Sequence, residues 1–228
     1  MTYTNREVRI PLKGIWLEGD LTLLDKSKGL VIFAHGSGSS RLSPRNRHVA
    51  RLLQEAGFST FLFDLLTREE EESEARTGHL RFDIGFLAGR LLQATDWVMN
   101  EKETRDLPAG YFGASTGAAA ALVASVRLPG TIEAIVSRGG RPDLAEDYLG
   151  LVKAPTLLIV GGRDDIVITL NREAFEKISA EKELVIIPGA THLFEEPGAL
   201  EKVADLASGF FNRFLLPTVK EEKEPVGS

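Results

Sequence analysis

The sequence predicts an α/β fold in which a mostly parallel, doubly wound sheet carries helices on both faces. Short apolar runs alternate with longer segments of helical periodicity along most of the chain, which is typical of repeated strand-helix-strand units. The run Leu30–Ala34 contains no polar residue, as expected of a parallel strand that is buried on both faces. Right-handed crossovers are therefore expected between the parallel strands.

Two antiparallel edge strands are predicted first, near Glu7–Ile10 and Ile15–Leu23, because the second is rich in apolar and β-branched residues and precedes a charged turn. The further strands are predicted at Leu30–Ala34, Ser59–Asp64, Ala109–Phe112, Ala134–Val136, Thr156–Val160 and Glu183–Ile187. Helices are predicted at about Pro44–Ala56, Phe82–Asn100, Thr116–Leu128, Leu170–Ser179 and Ala199–Phe214.

Composition limits the class of protein. The chain has 228 residues, of which 43% are hydrophobic and 26% charged, and this balance predicts one globular domain over residues 1–216. The segment from Pro217 onward is charged and contains prolines at both ends, so we expect a disordered tail over residues 217–228. A net charge of -6 argues against a nucleic-acid partner and favours a small molecule.

The absence of cysteine excludes disulfides, thiolate nucleophiles and Cys-ligated metals, and it favours a cytoplasmic location. Residues 1–15 do not resemble a signal peptide, and no segment approaches the ~20 apolar residues that span a bilayer, so no membrane partner is expected. The sequence leaves monomer and homodimer open.

Ser115 is the predicted nucleophile, because the pentapeptide GASTG at 113–117 follows a strand and opens a helix. Such an elbow strains the serine backbone, and its two glycines make room where strand and helix crowd together. The alternative is an ordinary structural turn, since glycine and serine are common in turns.

A serine hydroxyl needs a general base within hydrogen-bond reach. His192 is favoured, because it lies between the last strand and the last helix, whereas His48 and His79 are interpreted as structural or solvated. An acid must hold that base, and the adjacent Asp164 and Asp165 both follow a strand. Neighbouring side chains point in different directions, so only one of these two carboxylates can face His192.

The backbone N–H groups of Thr116 and Ser37 are the predicted oxyanion donors, with Gly36 or Gly38 as alternatives to Ser37. The Gly-Ser loop lacks the lysine of a phosphate-binding loop. Substrate contacts are predicted for His35, which begins this loop, and for two of the four arginines that lie near these loops. The four are Arg41, Arg45, Arg138 and Arg141, and the two chosen are Arg41 and Arg138.

The alternative for these arginines is pairing with Asp64 or with the acidic run Glu69–Glu72 and Glu74, which is itself interpreted as a solvated loop.

Five segments together resemble the dienelactone hydrolase-like branch of the α/β-hydrolase superfamily over about residues 5–215. They are AHGSGSSRLSPRN, GYFGASTGAAAAL, SRGGRPDL, LLIVGGRDDIVI and PGATHLFEEPGAL, and they are particularly similar to hydrolases fused to a phosphoribosyltransferase domain. The resemblance implies the α/β-hydrolase fold. It also implies Asp164 rather than Asp165 as the acid, because Gly161, Asp164 and Val167 match the Gly-x-x-Asp-x-x-Val loop of the family.

Dienelactone hydrolases proper use a cysteine nucleophile, whereas this chain has Ser115 and no cysteine. The resemblance therefore implies a serine carboxylesterase that cleaves small, short-acyl esters through an acyl-enzyme, with no metal or other cofactor. Alternatives are a thioesterase, lactonase or peptidase on the same triad, or a non-catalytic accessory module of a phosphoribosyltransferase. No separate lid domain is expected, because Thr67–Leu80 is the only modest candidate segment, and an open, shallow site would follow.

Overall fold

An eight-stranded sheet forms the centre of the computed structural model, which describes residues 2–215. Its strands are Tyr3–Leu12 (β1), Ile15–Leu24 (β2), Leu30–Ala34 (β3), Ser59–Phe63 (β4), Ala109–Ala114 (β5), Ile132–Arg138 (β6), Thr156–Gly161 (β7) and Lys182–Ile187 (β8). The spatial order is β1-β2-β4-β3-β5-β6-β7-β8. Strand β2 pairs antiparallel with β1 and with β4, and every other pairing is parallel. The predicted α/β class and the antiparallel edge are confirmed, and the predicted tail lies outside the described residues.

Six α-helices are described within residues 2–215, five of them between strands and the sixth after the last strand. They are Pro44–Glu55 (α1), Arg68–Thr77 (α2), Ile84–Asn100 (α3), Thr116–Arg127 (α4), Asp165–Lys177 (α5) and Ala199–Phe214 (α6). Two apolar clusters cover the two faces of the sheet, one contributed by α3, α4 and α5 and the other by α1 and α6. Strand β3 contributes side chains to both clusters. Ile32 belongs to the first and Phe33 to the second, because successive side chains of a strand point to opposite faces of the sheet. No separate lid domain is inserted between residues 2 and 215.

The acidic segment folds as helix α2, so the expectation of a solvated loop over Glu69–Glu72 and Glu74 is wrong. Its first turn is closed by a capping box, in which the Thr67 hydroxyl accepts from the N–H of Glu70 and the Glu70 carboxylate accepts from the N–H of Thr67. Glutamates in the first turn also favour a helix, because they face its positive dipole end. Gly78 ends the helix in the left-handed conformation, with φ of 64°.

Two further segments contain short 3-10 helices that the sequence did not predict: Leu80–Phe82, and Pro142–Leu151, where a kink at Glu146 separates two of them. None of the helices described in residues 2–215 combines the length and the apolar character needed to cross a bilayer.

Helix α4 crosses very close to the end of strand β3. A Cβ atom at Gly117 would lie 2.2 Å from the carbonyl oxygen of Ala34 and 2.4 Å from that of His35. Both of these oxygens belong to the backbone, so the clash cannot be relieved by a change of side-chain rotamer. Glycine is therefore required at this position by packing.

We expect Gly117→Ala to lower the free energy of unfolding by about 1–3 kcal/mol or more, because overpacking against fixed backbone forces the helix away from the sheet. Gly209→Ala is the matched control, since no atom lies within 4 Å of a Cβ at that exposed helical position. That change should stabilise the protein by about 0.5–1 kcal/mol. Urea unfolding measures both, and equal stability of the two variants would contradict the predicted crowding.

Candidate active site

Ser115 occupies the turn between β5 and α4 in a strained backbone conformation, with φ of 51° and ψ of -121°. Residues other than glycine rarely adopt this conformation, and it persists only where neighbouring structure enforces it. The Ser115 N–H donates to the carbonyl of Arg138 at 3.3 Å, and the Ser115 carbonyl accepts from the N–H of Ala118 and of Arg141, each at 3.1 Å. Ser115 remains partly exposed. Its side chain therefore projects from a fixed turn into reach of a ligand.

His192 and Asp164 form a hydrogen-bonded pair. The Nδ1 of His192 donates to Oδ2 of Asp164 at 2.6 Å, and the His192 side chain is 39% exposed. With Nδ1 committed as a donor, Nε2 of a neutral ring is left as an acceptor, which is the form a general base requires. Asp164 immediately precedes α5, whereas Asp165 is the exposed first residue of that helix. The structure thus brings Asp164, and not Asp165, to His192.

Backbone contacts fix the loop that carries His192. The N–H of Thr191 donates to both carboxylate oxygens of Glu196 at 3.1 Å, and a Cβ at Gly161 would lie 2.5 Å from the Thr191 carbonyl oxygen. A Cβ at Gly139 would lie 3.6 Å from Cε1 of His192, so the segment after β6 touches both the histidine ring and the Ser115 turn. Within residues 2–215 no hydrogen bond joins the Ser115 hydroxyl to His192. Such bonds are often long before substrate is present.

Ser37 and Thr116 lie side by side. The Ser37 N–H donates to Oγ1 of Thr116 at 3.1 Å, and the two hydroxyl oxygens are also 3.1 Å apart. The Thr116 N–H belongs to the first turn of α4, where no partner within the helix exists. A Cβ at Gly36 would lie 2.9 Å from Cβ of Ser115, so this loop closely approaches the serine. Two backbone donors therefore lie beside Ser115, and the Ser37 donor is engaged by a side chain.

His35 is buried and stabilises the loop that carries Ser37. Its Nε2 accepts from the N–H of Leu65 at 3.0 Å, so Nδ1 carries the proton and donates to the carbonyl of Gly36 at 3.0 Å. Burial lowers the pKa of His35, while the Gly36 hydrogen bond and the charge of Asp64 oppose that change. The ring is thus neutral and fixes the backbone immediately before Ser37.

Three of the four arginines are held in ion pairs. Arg41 contacts Oδ2 of Asp64 at 2.6 Å, as the ion-pair alternative anticipated. It also approaches Glu18 and Asp20, which that alternative did not name. Arg45 pairs with Glu195 at 3.0 Å, and Arg141 pairs with Asp143 at 2.8 Å.

Arg138 lies buried, 7% exposed, between α1 and the His192 loop. Its Nη2 donates to Oδ1 of Asn46 at 3.3 Å, and its guanidinium lies 5.8 Å from the Phe194 ring centroid. Desolvation, with a further contribution from Arg45, lowers the pKa of Arg138 to about 10. The described contacts of this guanidinium are therefore with Asn46 and Phe194.

A cavity of about 100 Å³ lies beside the two backbone donors. One wall is the loop from His35 to Gly38 together with Thr116, and the floor is apolar, formed by Leu65, Leu66 and Leu87. Helix α2 closes the far side. Sequence reasoning missed this wall, although the capping-box pattern Thr67-x-x-Glu70 was available to indicate a helix. No group of three or more His, Asp or Glu side chains in residues 2–215 is arranged to hold a metal ion.

Comparison with known proteins agrees with this architecture. The sequence profile of the Dienelactone hydrolase family matches residues 19–215. The crystal structure of a dienelactone hydrolase from Anabaena variabilis is 57% identical, with a TM-score of 0.91 over 93% of this chain and 99% of that chain. The α/β-hydrolase fold is confirmed. Est1E from Butyrivibrio proteoclasticus shares the fold at 17% identity, with a TM-score of 0.76 over 91% of this chain and 98% of that chain.

A curated relative from Mycobacterium tuberculosis H37Rv, provisionally named a phosphoribosyl transferase, is 55% identical over 207 residues. The match covers 91% of this chain and 46% of that protein, so the chain spans about half the length of this relative. A name of this kind fits the similarity to fused hydrolases that the sequence motifs indicated.

Acidification should destabilise the protein through His35. Because its pKa is lowered in the folded state, the unfolded chain binds the proton more readily, and the free energy of unfolding falls as pH drops below the usual histidine value of about 6.5. We expect the slope of stability against pH between about pH 7 and pH 5 to be smaller in His35→Asn than in the wild type. The exposed His79 supplies the control variant His79→Asn, and equal slopes in both variants would refute this role.

Proposed function

Because the chain belongs to the dienelactone hydrolase family, we propose that it is a serine carboxylesterase that cleaves small, short-acyl esters. The observation that carries this proposal is the strained Ser115 turn placed beside two backbone donors, with a His192–Asp164 pair on the adjoining loop. Strain at a single partly exposed serine has no evident packing benefit, and such strain clusters at active sites.

In the proposed first step, Ser115 Oγ attacks the ester carbonyl while Nε2 of His192 takes its proton. Asp164 holds Nδ1–H and stabilises the imidazolium that forms. The developing oxyanion accepts hydrogen bonds from the N–H groups of Thr116 and Ser37, and Thr116 Oγ1 must release the Ser37 N–H for this to happen. Loss of one such donor typically costs about 2.7–4 kcal/mol of transition-state stabilisation.

The first half of the reaction ends when the imidazolium of His192 protonates the leaving alcohol, the bond from the carbonyl carbon to that alcohol breaks, and the acyl group remains on Ser115. Water then attacks the acyl-enzyme while His192 accepts its proton, and His192 returns that proton to Ser115 Oγ as the acyl–Oγ bond breaks and the carboxylic acid leaves. Every proton transfer uses a side chain of this protein, so the proposed mechanism needs no cofactor.

The proposed preference for short acyl groups follows from the cavity. Its volume of about 100 Å³ is small beside the ~300–1,000 Å³ of typical ligand pockets. Its floor of three leucines suits an apolar chain. A long fatty acyl group would have to leave the cavity.

A second candidate function is an accessory role within a longer phosphoribosyl transferase. The observation that favours it is the relative whose length is about twice the matched region and whose provisional name describes that activity.

Thioesters and lactones would use the same catalytic groups, and a substrate panel would separate them from simple esters.

Ser115→Ala should abolish turnover of p-nitrophenyl acetate and butyrate near neutral pH. The nucleophile is lost, so we expect kcat/KM to fall by a factor on the order of 10³ or more. Ser208→Ala, on the exposed side of α6, is the matched serine control and should retain activity. Equal, slow hydrolysis by wild type and Ser115→Ala would refute the esterase proposal and favour the accessory role.

The adjacent aspartates provide a second test. Asp164→Asn keeps the shape of the side chain but no longer stabilises the imidazolium, so kcat should fall by a factor on the order of 10³ to 10⁴. Asp165→Asn should leave activity close to that of the wild type, because that carboxylate is exposed on α5. A larger loss in Asp165→Asn would mean that the acid has been assigned to the wrong residue.

A further inference from the structure

Helix α2 brings charge to an otherwise apolar cavity. Four ionisable side chains line the space beside the backbone donors: His35, Glu71, Glu74 and Arg81. His35 is neutral, because both ring nitrogens have fixed roles and burial lowers its pKa. The charge of the cavity is therefore set by Glu71, Glu74 and Arg81.

Glu74 and Arg81 neutralise each other. The Glu74 carboxylate is 5% exposed, and it accepts from Nε of Arg81 at 2.7 Å and from the N–H groups of Leu80 and Arg81 at 2.7 and 3.1 Å. Burial opposes ionisation of Glu74, but these hydrogen bonds outweigh it and lower its pKa to about 2. The pair is thus a fixed, internally compensated part of the wall.

Glu71 has no such partner. Its carboxylate makes no hydrogen bond or ion pair with any side chain or N–H group in the described part of the chain, and it is only partly exposed. Burial and the neighbouring Asp64 and Glu74 raise the pKa of Glu71, with Arg81 opposing. Glu71 therefore supplies the uncompensated negative charge of the cavity.

Glu71 also stands where the cavity meets a larger groove. Glu71 and Leu66 line both spaces, and the groove, of about 660 Å³, continues past the exposed Trp16. Three arginines line this groove: Arg41 is held by Asp64 and Glu18, Arg68 pairs with Glu72, and the Arg9 guanidinium lies 5.5 Å from the Trp16 ring centroid. None of these three arginines lines the cavity itself. The end of an acyl chain that fills the cavity would meet the Glu71 carboxylate at this boundary.

We infer that Glu71 determines substrate specificity by charge: the enzyme favours esters whose acyl chain ends in a cation and disfavours those whose acyl chain ends in a carboxylate. This inference rests on the proposed esterase function. Charges that interact in a partly desolvated space attract or repel more strongly than in bulk water, so one unpaired carboxylate is sufficient to separate the two classes.

Three p-nitrophenyl esters of matched chain length test this inference: the hexanoate, the mono-ester of adipate and the trimethylammonio-pentanoate. The leaving group is the same in all three, so differences in kcat/KM, after subtraction of the uncatalysed rate, report on the acyl end. In the wild type we expect the order cationic, neutral, anionic, with the cationic and anionic esters differing by about tenfold or more.

Glu71→Gln should reduce the cationic-to-anionic ratio by about tenfold, and Glu71→Lys should invert the preference. Glu72→Gln is the matched control, because it removes one negative charge from the next residue of the same helix, where the side chain is exposed and pairs with Arg68. That control should keep the wild-type ratio, and unfolding curves should show that all variants are folded.

Equal ratios in Glu71→Gln and Glu72→Gln, or a wild-type preference for the adipate ester, would overturn the inference. If the hexanoate is still cleaved in a Ser115-dependent manner in that case, the esterase proposal stands and only the charge selection fails. If no ester is cleaved in a Ser115-dependent manner, the esterase proposal fails and the inference falls with it.

Discussion

The backbone conformation of Ser115 is the constraint on which the rest of the site depends. A non-glycine residue at φ of 51° and ψ of -121° costs on the order of 1–3 kcal/mol, so surrounding structure must enforce it. Three hydrogen bonds do so, and they tie the turn to the end of β6, to the segment that follows β6 and to the start of α4. Gly117 permits the helix to pass within contact of β3, which brings the loop of Ser37 beside the serine. The strained Ser115 turn, the close approach of α4 to β3 and the position of the Ser37 loop therefore depend on one another.

The same arrangement shows how one proposed oxyanion donor is satisfied without a ligand. The Ser37 N–H donates to the Thr116 hydroxyl in a partly buried hydrogen bond, which avoids the cost of an N–H that has lost water without gaining a partner. The Ser37 hydroxyl in turn donates to the carbonyl of Arg81, which Glu74 fixes against α2. A substrate oxygen would therefore replace Oγ1 of Thr116 as the acceptor of the Ser37 N–H. This continuous set of hydrogen bonds links the wall of the cavity to Thr116, which directly follows the proposed nucleophile.

The sequence predicted the sheet well, because strands that are buried on both faces consist of apolar runs such as Leu30–Ala34. The turn at Ser115 was also predictable, because its pentapeptide GASTG is a local pattern. Helix α2 was not predicted, because a dense run of acidic residues is typical of a solvated loop. The pattern that indicates a helix, the capping box, involves only two residues, Thr67 and Glu70. Arg138 was harder still. Its partners, Asn46 and Phe194, are distant in sequence, and burial of a guanidinium depends on how α1 and the His192 loop pack together.

Glu71 shows why the remaining functional features could not be predicted from residue type. Its carboxylate resembles its neighbours in the acidic run, yet only Glu71 and Glu74 face the cavity, and only Glu74 has a cation held against it. A raised pKa means that the folded state disfavours the charged form of Glu71, so this charge lowers stability as pH rises through that pKa. Folding alone gives no reason to place such a group on the wall of the cavity that Ser37 and Thr116 also line. Local features that oppose stability are concentrated at functional sites, and this one lies where an acyl chain would end.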